Sequence, residues 1–124
     1  MDKFKSIFLG LDIAYGQYHP GERGENGKQK GKAFICRGDV RDSLWSDHLE
    51  GKGPALGIIP ITQNNDCRCC CIYIDEYNFD HLSLIQSIRK LNLPLIVCRS
   101  KSGGAHVFLF TKENISASLM QSKL

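Results

Sequence analysis

No stretch of this sequence stays apolar long enough to cross a bilayer. The longest apolar run, Ala55–Ile61, is interrupted by Gly57 and Pro60, whereas a spanning helix needs about 20 residues. The first residues, MDKFKSIFLGLDIAYG, have neither a long apolar segment nor a small-residue cleavage site, so a cytoplasmic protein with no membrane partner is expected. Charge of one sign is scarce too. A formal net charge of +3, with 23% charged residues, does not make the dense basic stripe of a dedicated DNA binder. The positive excess sits late in the chain: from residue 93 onward four basic residues face one acidic residue, and Arg99 and Lys101 are among them. That pattern suits a phosphate group. Twelve glycines and four prolines in 124 residues, with 42% hydrophobic residues, exclude collagen-like and wholly disordered chains. A single domain with its own core is expected.

Six cysteines would suggest disulfides in a secreted chain, but here they read as reduced thiols. Cys67, Cys69, Cys70 and Cys71 crowd into five residues. Cys67 and Cys70 form a CxxC pair, and a structural zinc would need two more ligands, for which Cys36, His48 and Cys98 are the obvious donors. No second CxxC exists. Because the cluster runs into Ile72–Ile74, the simpler reading is small hydrophobes in a buried strand.

Along the chain, Lys3, Phe4, Ile7, Phe8 and Leu11 predict a short helix. The glycine- and lysine-rich segment at 21–32 predicts an exposed loop, and KAFICR at 32–37 a strand. In RDSLWSDHLEG, Leu44, Trp45, His48 and Leu49 recur at helical spacing, with Asp42 as expected N-cap and Trp45 and His48 turned inward. Ala55–Ile59 predicts a strand and residues 62–66 a turn-rich link. Cys69–Ile74 predicts a central strand covered on both faces. A helix starts at Asp80, carries Leu84, Ile85, Ile88 and Leu91 on one face, and stops at Asn92-Leu93-Pro94. Leu95–Cys98 and Ala105–Phe110 predict two more strands, with His106, Phe108 and Phe110 sharing a face. Asn114 is the expected cap of a last helix bearing Ile115, Leu119 and Leu124. His19 and His81 show no partner in the sequence and are expected to be solvated.

The fold class that results is α+β: a small N-terminal α/β subregion (1–66) packed on an incomplete RRM-like palm (67–124) of order β-α-β-β-α, the βαββαβ pattern without its final strand. The sheet edge left bare, with Leu119 beside it, is expected to mediate homodimerisation or docking on a protein partner.

Two segments could carry chemistry: CIYIDEYNFD at 71–80 and CRSKSGGAHVF at 98–108. A carboxylate leaving a buried strand end, facing a hairpin of Ser, Gly, Lys and His, can hold a divalent cation on one side and a triphosphate on the other. Side chains two apart share a strand face, so Tyr73 and Asp75 point together, and Glu76 falls on the other side.

The stretches WSDHLEG at 45–51, LGIIP at 56–60, Asp66-Cys67 and RSKSGGAH at 99–106 resemble an archaeo-eukaryotic primase (primase-polymerase) domain, especially of the kind found in phage and mobile-element conflict systems. The likeness covers half to three-quarters of the chain. It implies an Asp-x-Asp on the first palm strand, a Ser-x-x-x-His hairpin for the nucleotide's phosphates, and a third Asp on a later strand. The hairpin motif falls on Ser102 and His106, with Arg99, Ser100 and Lys101 as further phosphate ligands. The first motif falls on Tyr73 and Asp75, so a phenol with a pKa of about 10 stands where an anionic ligand is wanted. The third would lie beyond the last helix. The resemblance therefore implies a nucleotide- or nucleic-acid-binding module that is catalytically incomplete alone, with Asp75 and His106 as catalytic-site residues and Asp75 as the one ligand for Mg²⁺ or Mn²⁺. Two alternatives remain: a phage or mobile-element inhibitor that binds a host protein through a truncated primase fold, and an active nucleotidyltransferase fragment completed by another chain. Phosphate binding demands Arg99, Lys101, Ser102 and His106; a protein-docking surface does not.

Overall fold

The computed structural model describes residues 2–23 and 29–123, with the backbone alone for Arg23 and Gln29. The chain divides into two compact units, Met1–Asn65 and Asp66–Leu124, and mixes helices with two antiparallel three-stranded sheets, the α+β class expected.

The first unit contains α1 (Asp2–Ile7), β1 (Ala14–Arg23), β2 (Gln29–Arg37), α2 (Asp42–Leu49) and β3 (Ala55–Gly57), with sheet order β2-β1-β3. Helix α1 stops before Leu11, whose N–H donates instead to the Ile59 carbonyl at 2.8 Å. Phe4 packs on Phe8 with ring centroids 4.9 Å apart and meets Trp45 edge-on at 6.0 Å. Trp45 is buried, as its position on α2 predicts. Asp42 is not the cap of α2. Arg41 holds that position without a side-chain bond, and Asp42, already helical, pairs with Lys5. His48 is spoken for by structure: its Nδ1 accepts the Leu56 N–H at 3.2 Å, which ties β3 to α2.

The largest departure from expectation is the segment at 21–32. Residues 21–23 and 29–32 belong to an antiparallel hairpin in which His19 faces Lys32 and Pro20 faces Gly31, with a register shift between Pro20 and Arg23. Residues 24–28 of the expected loop lie outside the described residues. Lys30, Lys32 and Glu22 are exposed, so this hairpin is held by backbone pairing and has no apolar alternation for the sequence to reveal.

The second unit runs β4 (Asp66–Ile74), α3 (His81–Lys90), β5 (Leu95–Arg99), β6 (Ala105–Ser116), α4 (Ala117–Ser122). This is the expected β-α-β-β-α order. The sheet order is β4-β6-β5 with both pairs antiparallel, which is the strand arrangement of a βαββαβ sheet minus its last strand. β6, not β4, is therefore central. The Cys69–Ile74 run misleads because it is apolar on both faces although β4 is an edge strand among the described residues: Cys67 and Cys69 are buried, while Tyr73 is 72% exposed.

Helix α3 begins as predicted, with Asp80 accepting the Ser83 N–H at 3.0 Å. It ends in a Schellman motif, Leu93 N–H to Ile88 O and Asn92 N–H to Arg89 O, both 3.0 Å, with Asn92 at φ +51°. Ile88 is buried, but Leu91, expected on the same face, is 66% exposed because it is already the C-cap. The last helix differs too. β6 continues through Asn114 and Ile115, Asn114 donates to Asp66 at 3.0 Å, and Ser116 rather than Asn114 caps α4 through the Leu119 N–H at 3.2 Å. Thr111-Lys112-Glu113-Asn114 is polar enough to look like a loop, yet pairing with β4 resumes beyond it, Cys67 with Ile115 and Asp66 with Ser116, after a register shift between Cys67 and Cys69. Leu124 lies outside the described residues. No helix is long and apolar enough to cross a membrane among them.

Candidate functional site

At the C-terminal end of β4, antiparallel pairing brings the start of β6 alongside, with Tyr73 opposite His106 and Ile74 opposite Ala105. On the other side of β6, Cys98 and Arg99 face His106 and Ala105. The β5–β6 turn, residues 100–104, thus sits where β4 delivers Asp75. The turn is closed by Ser100 N–H donating to Gly104 O at 2.8 Å and Gly103 N–H donating to Ser100 O at 3.1 Å. Gly103 has φ +95°, a conformation glycine adopts at no steric cost. Gly104 is buried and leaves no room for a side chain, since a methyl there would overlap the Ile74 carbonyl oxygen and stand 3.2 Å from Glu76 N.

The residues singled out in the sequence converge here in part. Ser100 and Ser102 hydroxyls are 3.1 Å apart, and the Ser102 hydroxyl donates to Asp75 Oδ1 at 3.4 Å. His106 meets the Tyr73 ring edge-on at 4.8 Å. Arg99, Lys101, Ser102 and Asp75 are exposed, and Ser100 and His106 are half-buried. His106, Phe108 and Phe110 share a face, their rings 6.2 and 5.7 Å apart in succession. Glu76 does not join them; it lines a depression of about 460 Å³ with Asn78, Phe79, Asp80 and Ser83.

The TOTE conflict system archaeo-eukaryotic primase domain model matches residues 17–123. The chain belongs to that family. No curated protein matches it. In this primase domain the Ser-x-x-x-His stretch, Ser102 to His106, occupies the turn and first strand residues just described.

Of the two histidines expected to be solvated, His19 is exposed and His81 is not. His81, the first residue of α3, donates from Nε2 to the Gly104 carbonyl at 2.8 Å and meets the Phe79 ring edge-on at 5.3 Å. His19 meets Phe34 edge-on at 5.5 Å. The signal for His81 was topological: in a β-α-β-β unit the helix starts beside the hairpin that pairs with the first strand's end.

A two-metal centre needs several anionic oxygens around ions about 4 Å apart. Among the described residues no three His, Cys, Asp or Glu side chains gather as a metal site, and Asp75, the residue after β4, is preceded two positions earlier by the Tyr73 phenol and not by a second carboxylate. The described residues do not supply the donor set of such a centre. Nor do the cysteines gather: all six are free. Burial pushes the thiols of Cys67, Cys69, Cys70 and Cys71 above their ordinary value, with neighbouring thiols adding to the rise at Cys67, Cys69 and Cys71. Such thiols stay protonated and pack as small hydrophobes.

Proposed function

We propose that this primase-derived module binds a nucleoside triphosphate at the Arg99–His106 hairpin and does not polymerise by itself. The observation that carries the reading is the meeting of the closed Ser100–Gly104 turn with Asp75, through the Ser102 hydroxyl at 3.4 Å. Arg99 and Lys101 supply positive charge for the phosphates, and the Ser100 and Ser102 hydroxyls supply donors. Asp75 repels a polyphosphate, so the phosphates lie on the Arg99 and Lys101 side of Ser102. With Tyr73 in place of a carboxylate, the end of β4 brings Asp75 without a second anionic partner to the turn, and charge neutralisation for phosphoryl transfer falls short there.

Calorimetric titration with ATP tests the binding. Lys101→Ala and His106→Ala are each expected to weaken it by about tenfold, the lower end for a charge-assisted contact; no heat with the native chain refutes the reading. Primer extension with Mg²⁺ or Mn²⁺ tests the second half, and template-dependent product that disappears on Asp75→Ala overturns it. A second reading, docking on a host protein, is supported by the exposure of Tyr73 and Ile96 on one sheet face. It needs neither Lys101 nor His106, so binding of a protein that survives both substitutions separates the two.

A further inference from the structure

We propose that His81 is the positioning residue of the phosphate-binding hairpin, holding it in place through the Gly104 carbonyl. The proposal rests on the nucleotide-binding reading of that hairpin. A carbonyl oxygen carries no proton, so the 2.8 Å contact requires that His81 Nε2 bear the hydrogen. The same oxygen accepts the Ser100 N–H that closes the turn. Gly104 is also where the hairpin backbone lies against the end of β4, with no space even for a methyl group. Three parts therefore meet at one residue: the turn that carries Lys101 and Ser102, the strand end that carries Asp75, and the start of α3.

His81 is well placed to act as the fixed partner. Its backbone begins a helix whose first turn is pinned by the Asp80 cap, and its ring is steadied by the edge-to-face contact with Phe79. The turn's own bonds, Ser100 to Gly104 and Gly103 to Ser100, are internal to the hairpin. They give the turn its shape but do not orient it. The His81 bond runs from another element and, together with the pairing of Ala105 with Ile74, fixes the hairpin where Ser102 meets Asp75. Because Nε2–H is spent on the carbonyl, His81 acts on the ligand through the hairpin and not by touching phosphate with that atom.

The test uses two variants of the full chain. His81→Phe keeps an aromatic ring beside Phe79 and loses the donor, while His81→Gln places an amide N–H close to the position of Nε2. Calorimetry with ATP is expected to show about five- to tenfold weaker binding for His81→Phe, the loss of one hydrogen bond's worth of positioning, and recovery to within about twofold for His81→Gln. Hydrogen exchange at the Ser100 amide, which shares the Gly104 oxygen, reads the clamp without ligand and is expected to be faster in His81→Phe only. ATP binding by His81→Phe equal to that of the native chain overturns the proposal. If the native chain binds no ATP, the nucleotide reading fails. The clamp is then judged by exchange alone, and unchanged Ser100 protection in His81→Phe overturns it as well.

Discussion

Replacing Gly104 by alanine probes the junction on which the site depends. The added methyl would overlap the Ile74 carbonyl oxygen and stand 3.1 Å from its carbon and 3.2 Å from Glu76 N. All three obstacles are backbone atoms, so no side chain can swing aside; the hairpin must move off the end of β4. Overpacking of this kind costs about 1–3 kcal/mol. Moving Gly104 also strains the two hydrogen bonds its carbonyl accepts, from Ser100 N–H and His81, each worth about 0.5–1.5 kcal/mol. A total near 3 kcal/mol follows. Gly103→Ala is the control. Nothing lies within 4 Å of a methyl at Gly103, so its cost is confined to holding alanine at φ +95°, about 1–2 kcal/mol. Urea unfolding followed by circular dichroism measures both variants against the native chain. Gly104→Ala is expected to lose about 1–2 kcal/mol more than Gly103→Ala. Equal losses, or a Gly104→Ala midpoint indistinguishable from native, would refute the packing of the turn against β4.

The thiols give an independent check. Cys98 is exposed, whereas Cys67 and Cys69 are buried with raised pKa values, so maleimide at pH 8 should label Cys98 at least about tenfold faster, as peptide mapping by mass spectrometry would reveal. Because the folded chain favours the neutral thiols, their contribution to stability is complete at and below the ordinary value of 9.0 and is lost as pH rises through the raised folded values; urea midpoints should fall above that pH. Trp45→Ala removes a buried ring that Phe4 packs against, and should cost about 3–5 kcal/mol in the same unfolding assay. Leu119 is 47% exposed on α4, and if it serves self-association, light scattering at micromolar concentration should show a dimer that Leu119→Lys converts to monomer.

What the sequence made legible was whatever punctuation and periodicity encode. Asp80 and Asn92-Leu93-Pro94 bracket α3, and the apolar runs at 95–98 and 105–110 mark β5 and β6, so the β-α-β-β-α order was readable. The hairpin residues were readable because Ser-Gly-Gly beside Arg and Lys is unusual chemistry in a turn. Position within the sheet was not. An apolar run such as Cys69–Ile74 looks the same at an edge as at the centre, and only pairing distinguishes them. The β1–β2 hairpin escaped because Gly21, Pro20 and the lysines suggest solvent, while backbone bonding between exposed strands leaves no trace in hydropathy. His81 escaped because its partner is a main-chain carbonyl 23 residues away, which no side-chain pattern announces.

The central claim is that phosphates bind at the Arg99–His106 hairpin, and amide chemical shifts of the ¹⁵N-labelled chain during titration with ATP test it residue by residue. The expected result is a saturable set of shifts centred on the amides of Ser100 to His106, with Ser102 and Gly103 among the largest, reproduced in part by inorganic tripolyphosphate and saturating at about tenfold higher ATP in Lys101→Ala. Shifts confined to other segments, such as the β1–β2 hairpin, or an unchanged spectrum at millimolar ATP, would contradict it.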